Sequence, residues 1–246
     1  MKKVFVLMAF AALALIACKP TNTDDPNNPG GDDPKVEEYV QPITCDGKFD
    51  DWAKLDASKV YTAKNVEGSK HDALKLVKVY ADKAFIFVYF EWDTEQIEWE
   101  LDVEHVPFHI YLNADGKADT GGFGDQWSDA CTEACFEGFL TNGTDIDSYD
   151  PGVYQWVGEA NGSGWEWSDP AVLDAGSGIC SGAGVNGKYE LQIVRELYPL
   201  GTIADEFSIG FDLQQSWDTV GYLPNGEVTD DNPSGNVPSL KVVTVK

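Results

Sequence analysis

Short apolar segments with a two-residue period, separated by turn dipeptides, run through the chain from about residue 40 to residue 246. In residues 207–213, Phe207, Ile209 and Phe211 alternate with small or polar residues, which predicts a strand with one buried and one solvated face. Residues 84–90 are apolar on both faces, as expected for a central strand covered on both sides. Asn-Gly pairs at positions 142, 161, 186 and 225 are strong turn signals. No apolar segment beyond the N-terminus keeps a helical period, so the pattern indicates many short strands.

Composition and strand spacing together predict the architecture. The chain has 246 residues, of which 24 are Gly, 12 Phe, 10 Tyr and 8 Trp, a mixture typical of strands and turns. Further alternating segments predict strands at 73–80, 108–112, 135–141, 153–158, 187–194 and 240–245. We therefore predict an all-β fold, a jelly-roll-like β-sandwich that forms a single domain over residues 41–246.

The charge of the chain excludes one class of partner. The formal net charge is −25, with 17 Lys and Arg residues against 42 Asp and Glu residues. Arg195 is the only arginine. Such a surface repels phosphate backbones and offers no basic patch, so nucleic acid is not expected to be a partner.

The N-terminus has the order of an export signal. Lys2 and Lys3 precede an apolar run over residues 4–17, which is too short to span a bilayer. Residues 15–18, Leu-Ile-Ala-Cys, resemble the lipobox of bacterial lipoproteins. This resemblance implies that residues 1–17 are a signal peptide and that Cys18 carries a lipid, which would be the only membrane contact.

Residues 18–40 are acidic and rich in Pro, Asn and Gly, which predicts a solvated tether. The acidic residues that begin at Asp24 resemble the surface-export signal of Bacteroidetes lipoproteins. That resemblance implies an outer-membrane protein displayed at the cell surface.

Four cysteines remain if Cys18 is lipidated. Cys45, Cys131, Cys135 and Cys180 are an even number in a compartment that permits disulfides, so two bridges in three connectivities are open. A bridge between Cys131 and Cys135 requires the intervening residues to turn. A zinc site is the weaker interpretation, because the CxxxC spacing has no second pair.

Several segments of the domain together carry the motifs of one known family. Residues 44–52, Thr-Cys-Asp-Gly-Lys-Phe-Asp-Asp-Trp, are similar to the opening "DG…DeW" motif of family 9 carbohydrate-binding modules and their DOMON-like relatives. Residues 84–91, 110–115, 187–193 and 207–211 are similar to four strands that follow it. The resemblance implies a non-catalytic β-sandwich that binds a polysaccharide or an oligosaccharide. Arg195 and Glu196 stand where the family usually has proline.

A loop of oxygen-bearing residues predicts a calcium site. Asn113, Asp115, Asp119 and the carbonyl of Lys117 are spaced two and four residues apart among glycines, and a curved backbone can bring their oxygens together. The loop does not match an EF-hand, because the turn glycine and the bidentate glutamate are absent. An ordinary turn rich in Asp and Gly is the alternative.

Four tryptophans in polar, glycine-rich segments are the candidate glycan-binding residues. Indole faces stack on the C–H faces of sugars while nearby polar groups bond the hydroxyls. Trp165 and Trp167 flank Glu166, so on a strand both rings project from one face. Trp127 and Trp156 complete the set. The alternative is that these rings fill the core or close the ends of the sandwich.

Glu91, Asp93 and Glu95 form an alternating acidic pattern that resembles the E-x-D-x-E strand of family 16 glycoside hydrolases. On one strand face, the two glutamates would suit a retaining mechanism, with one as nucleophile and the other as acid/base. Glycoside hydrolysis is therefore the second functional hypothesis. A structural envelope lipoprotein, with no affinity for glycans, is the third.

The three histidines suggest no catalytic role. Pro107 argues against a helix that would bring His105 and His109 together, so solvated or structural side chains are predicted. DOMON domains that bind haem use Met and His ligands. Met1 and Met8 both lie in the signal segment, which excludes haem of that type from the mature chain.

Overall fold

The computed structural model describes residues 38–97, 105–124, 126–129, 131–141, 146–148, 150–197 and 200–246. Within it, Gln41–Lys246 forms one compact unit. The predicted signal peptide, Cys18 and most of the predicted tether lie outside the described residues. None of the helical segments in the described part of the chain has the length and apolar character needed to cross a membrane.

The described elements are twelve strands and two short 3-10 turns, at Phe49–Lys54 and Ala57–Lys59. The strands are β1 (Tyr61–Lys64), β2 (Leu74–Ala81), β3 (Phe85–Trp92), β4 (His105–Asn113), β5 (Ala134–Thr141), β6 (Asp147–Ser148), β7 (Gly152–Gln155), β8 (Cys180–Val185), β9 (Lys188–Val194), β10 (Glu206–Gln215), β11 (Asp218–Leu223) and β12 (Leu240–Val243).

The strands form two antiparallel sheets. Sheet A has the order β1-β2-β3-β9-β8-β6, and sheet B has the order β11-β10-β4-β5-β7 with β12 also paired to β10. One main hydrophobic cluster contains residues of both sheets, including Val88 and Leu191 from sheet A and Ile110 and Phe211 from sheet B. The predicted all-β sandwich is therefore confirmed.

Strand β3 confirms the prediction of a central strand covered on both sides. It pairs with β2 and β9, and the side chains from Ile86 to Phe90 are all buried. The inward residues join the main cluster. Phe87 and Tyr89 on the other face pack against Ile43 and Trp52 from the segment that precedes β1.

The prediction of a solvated face on β10 is wrong. Phe207, Ile209 and Phe211 do face the interior, but Asp212 on the opposite face is only 1% exposed. Gly210 lies directly beneath the Trp127 ring, because a Cβ at Gly210 would come within 2.7 Å of that indole. Loops that cross the outer face of sheet B exclude solvent there.

Strand β8 has no counterpart in the sequence prediction. Its sequence, CSGAGV, lacks an alternating apolar pattern. Gly182 and Gly184 are needed because Tyr189 of the paired strand lies over them, so that a Cβ would come within 2.2 Å and 2.6 Å of its ring or hydroxyl. The β8–β9 connection confirms a predicted turn, since Asn186 and Gly187 both have positive φ.

Candidate functional site

Three polar residues form a row across the outer face of sheet B. In the antiparallel register, His109 of β4 lies opposite Asp212 of β10 on one side and Glu137 of β5 on the other. Asp212 lies between two core residues of its strand, so alternation turns its side chain away from the interior. We call Asp212, His109 and Glu137 the polar row.

Hydrogen bonds connect the polar row to its neighbours. Nε2 of His109 lies 2.9 Å from Oε2 of Glu137, and the Tyr154 hydroxyl donates to Oε1 of the same carboxylate over 3.2 Å. The hydrogen bond from His109 keeps the pKa of Glu137 below its usual value. The side-chain amide of Gln214 donates to Oδ2 of Asp212 over 2.6 Å.

Two buried atoms of the polar row lack partners. Nδ1 of His109 and Oδ1 of Asp212 are inaccessible to solvent and make no hydrogen bond with the described residues. Burial raises the pKa of Asp212 to about 6, although the hydrogen bond from Gln214, the charge of His109 and the interaction with Thr219 oppose the rise. Unsatisfied polar groups of this kind are unfavourable for folding, and they are common at functional sites.

A layer of aromatic rings surrounds the polar row on the same face of sheet B. The buried cluster here consists of Tyr111, Trp127, Cys135, Trp156, Trp167 and Tyr222, with Phe123 and Tyr154 packed against it. Trp156 covers Gly122, where a Cβ would come within 2.3 Å of the indole. The close approach of loop backbone to large rings fixes the loops over the sheet.

Trp165 and Trp217 are the large aromatic side chains that this layer leaves exposed, at 53% and 60%. Their ring centres lie 5.2 Å and 6.4 Å from the His109 ring. Trp165 is supported by Phe123, edge to face at 5.5 Å, and Trp217 by Phe139, edge to face at 6.3 Å. The two indoles therefore flank one imidazole, each held by a second ring.

The backbone at Trp217 is in an unfavourable conformation for a tryptophan. Ser216 and Trp217 connect β10 to β11, with φ values of 50° and 69°. Two-residue hairpin turns with positive φ prefer Asn-Gly, and a bulky residue there is strained. Burial of the ring does not offset the strain, because the ring is mostly exposed. Strain of this kind is concentrated at functional sites.

The four tryptophans predicted as ligand-binding residues all lie in or beside the aromatic layer, but only Trp165 is exposed. Trp127, Trp156 and Trp167 are 4–8% exposed and have mainly a packing role. The indole N–H of Trp127 donates to the Pro224 carbonyl over 3.0 Å. The rings of Trp165 and Trp167 both contact Phe123, although neither residue lies in one of the twelve strands.

The structure places four further residues at the site that the sequence analysis did not select. These are His109, Glu137, Asp212 and Trp217. The sequence analysis predicted a solvated or structural His109; the side chain is buried rather than solvated, and its position between two carboxylates was not predicted. The sequence does contain a signal that could have identified Trp217. It is an aromatic residue in a polar turn, Gln-Gln-Ser-Trp-Asp, at the end of a strongly predicted strand.

The predicted acidic strand at residues 91–95 is wrong in its geometry. Strand β3 ends at Trp92, so Glu91, Asp93 and Glu95 do not share one strand face. Asp93 accepts a hydrogen bond from the Glu95 N–H over 3.0 Å, which closes a turn immediately after the strand. Glu91 instead accepts a hydrogen bond from the Tyr89 hydroxyl.

The predicted calcium loop assembles in part. Asn113 donates to the Lys117 carbonyl over 2.7 Å, and the Lys117 ammonium pairs with Asp115 over 2.9 Å. Asp119 makes no hydrogen bond or ion pair within the described residues. Glu133 takes its place, because the Thr120 hydroxyl lies 3.1 Å from Oδ1 of Asp115 and 2.8 Å from Oε1 of Glu133.

The loop brings together oxygen atoms, which are the ligands that a hard cation prefers, but few of these oxygens belong to carboxylates. Burial, together with the nearby charge of Asp115, raises the pKa of Glu133. Oδ1 of Asn113 is buried and has no partner among the described residues. Across those residues, no group of three or more His, Cys, Asp or Glu side chains is placed to hold a metal ion.

The four cysteines of the domain are free thiols. Cys45 packs outside sheet A, Cys180 lies between the sheets and Cys135 lies outside sheet B, so the sandwich itself keeps these three apart. Cys131 precedes β5 and donates to Oδ1 of Asn161 over 3.1 Å. The disulfide bridges that the sequence left open do not form in this structure.

No protein-family model matches the chain, and comparisons with curated proteins and with solved structures also give no match. The resemblance to family 9 carbohydrate-binding modules therefore stays a prediction that rests on the sequence motifs.

Proposed function

We propose that this chain is a non-catalytic carbohydrate-binding protein, with Trp165 and Trp217 as the stacking surfaces of its site. The observation that carries the proposal is the pair of exposed indoles that flank His109. Indoles stack on sugar rings, and Glu137 beside them can accept hydrogen bonds from hydroxyls. The sequence motifs of family 9 carbohydrate-binding modules support the same function independently.

The proposed location comes from the N-terminal sequence alone. A lipid on Cys18 would attach the domain to the outer membrane through the tether of residues 18–40, with display at the cell surface. A polysaccharide captured there would be held near the cell. This role requires no catalytic activity, because binding alone concentrates the glycan.

The decisive test of glycan binding is an array of oligosaccharides probed with the purified full-length chain and with two single variants. Trp165→Ala and Trp217→Ala are each expected to weaken binding about 10- to 100-fold, as removal of a central aromatic contact does. Val243→Ala, at a 45% exposed apolar residue on β12, is the control and should bind normally. Equal binding by all variants would place the glycan elsewhere, and no binding by the wild type would favour a structural envelope protein.

Calcium binding at residues 113–133 is a second, separate proposal. Asp115 and Glu133 converge on Thr120, and a cation would offset the repulsion between the two carboxylates. Saturating Ca²⁺ is therefore expected to raise the midpoint of thermal unfolding by a few degrees, and Glu133→Gln to remove that gain. Calorimetry with Ca²⁺ and with chelator measures both. An identical midpoint in the two conditions would reject the calcium site.

A further inference from the structure

The polar row carries more negative than positive charge. Two carboxylates, Asp212 and Glu137, lie on either side of a single imidazole. Within the described residues, no lysine or arginine forms an ion pair with either carboxylate. The site is thus short of cations in a chain that already carries a formal net charge of −25. An anionic sugar would meet repulsion both on approach and after binding.

Both carboxylates are mainly ionised at neutral pH. The hydrogen bond from His109 lowers the pKa of Glu137, whose side chain remains 18% exposed. Asp212 has a pKa of about 6 and lies behind this surface. Gln214, Thr219 and the charge of His109 stabilise the ionised form, but they do not offset the cost of burial, and Oδ1 of Asp212 has no hydrogen-bond partner among the described residues. A positive group on the ligand would compensate the charge of Asp212.

The exposed indole rings beside the polar row also favour a cation. A cation over the face of an indole is attracted by the ring quadrupole, and tryptophan is the strongest of the aromatic side chains in this respect. Among the described residues, Trp165 and Trp217 are the exposed indoles, and their rings lie beside His109 of the polar row. Aromatic faces next to a carboxylate form the combination that recognises an ammonium group.

We propose, resting on the carbohydrate-binding function above, that this site selects amino sugars with a free ammonium group over neutral and acidic sugars. The sugar ring stacks on Trp165 or Trp217, and the ammonium group donates to Glu137. The buried carboxylate of Asp212 lies next to His109 and attracts the ammonium group electrostatically, without direct contact with the ligand.

The test compares trimers of glucosamine, N-acetylglucosamine and glucuronic acid at pH 6.5 by calorimetry with the full-length chain. Short oligomers are required because a long polyamine would bind a chain of this net charge at many places. The glucosamine trimer is expected to bind at least about tenfold more tightly than the acetylated trimer, with a preference that falls as salt rises. The glucuronic acid trimer is expected not to bind.

Matched variants separate the site from the general surface charge. Glu137→Gln and Asp212→Asn should each abolish most of the preference for the amine while the acetylated trimer still binds. Asp230→Asn changes the net charge equally at an exposed position and should leave the preference intact. Circular dichroism of each variant checks that it folds.

The outcomes distinguish the two proposals. Equal or tighter binding of the acetylated or the acidic trimer would overturn the selectivity for amino sugars and leave carbohydrate binding standing. If no trimer and no glycan on the array binds, both proposals fail. A preference for the amine that Asp230→Asn reduces as much as Glu137→Gln would show general charge attraction, and would also overturn the selectivity.

Discussion

Asp212→Asn is expected to raise the free energy of unfolding by about 2–3 kcal/mol at pH 7.5 and to change it little at pH 4. Burial raises the pKa of Asp212 from 3.8 to about 6, so the folded protein holds this proton more tightly than the unfolded chain. The stability contributed by the protonated form is fully present below pH 3.8 and is lost as pH rises through about 6. Asparagine has nearly the same shape and no charge, so it avoids that loss.

Urea denaturation at the two pH values measures this effect. Asp230→Asn is the control, because Asp230 is exposed and makes no hydrogen bond or ion pair within the described residues; its change should be near zero at both values. A destabilised Asp212→Asn protein at pH 7.5 would mean that the carboxylate is stabilised in the fold by contacts stronger than the Gln214 hydrogen bond.

A gain in stability with a loss of binding would mark the polar row as a functional site. Natural sequences retain unfavourable groups where function requires them, and replacement of such groups often stabilises the fold. Asp212 is buried and incompletely paired, and Trp217 is strained and exposed. Neither feature improves packing. Their positions around one imidazole are consistent with selection for binding.

Much of the fold could be predicted from the sequence because the main sheets follow simple alternation. Strand β3 is apolar on both faces, β4 and β10 alternate, and the inward residues of all three are buried as predicted. The short or glycine-rich strands could not be found in this way. In β8, Gly182 and Gly184 leave space for the Tyr189 side chain of the paired strand β9. The local sequence of β8 does not show which strand will pair with it.

The candidate site was harder to predict, because the outer face of sheet B is polar in sequence but buried in the fold. Alternation assigns His109 and Asp212 to solvent, whereas both are 1% exposed beneath loops. Their proximity depends on the register between strands that are separated by about a hundred residues, which a single sequence does not specify. Trp165 was predicted from its composition and context alone.

The outer face of sheet A is organised around a different buried acid. Glu190 of β9 is fully buried and accepts hydrogen bonds from the N–H groups of Asp46 and Gly47, over 3.0 Å and 2.9 Å. The indole N–H of Trp52 donates to its other oxygen over 3.1 Å. These donors belong to the segment that resembles the opening motif of family 9 modules. The carboxylate therefore fastens that segment to the sheet.

Glu190→Ala is expected to lower the free energy of unfolding by about 3 kcal/mol at pH 8.5, because two buried donors and one partly buried donor lose their acceptor. Burial raises the pKa of Glu190 to about 7, so this pH keeps the wild-type group ionised. Glu190→Gln should cost less, since its carbonyl still serves Asp46 and Gly47. Its amide, however, faces the Trp52 N–H, and two donors then oppose each other.

That opposition makes the assignment testable by a double-mutant cycle in urea. Trp52→Phe removes the indole donor, so it should offset part of the loss caused by Glu190→Gln, with a coupling energy of about 1 kcal/mol. The same change should leave the loss caused by Glu190→Ala nearly as large, because Asp46 and Gly47 still lack an acceptor. Strict additivity of Trp52→Phe and Glu190→Gln would mean that Trp52 holds the segment by packing alone, through its ring contact with Tyr89 at 5.6 Å.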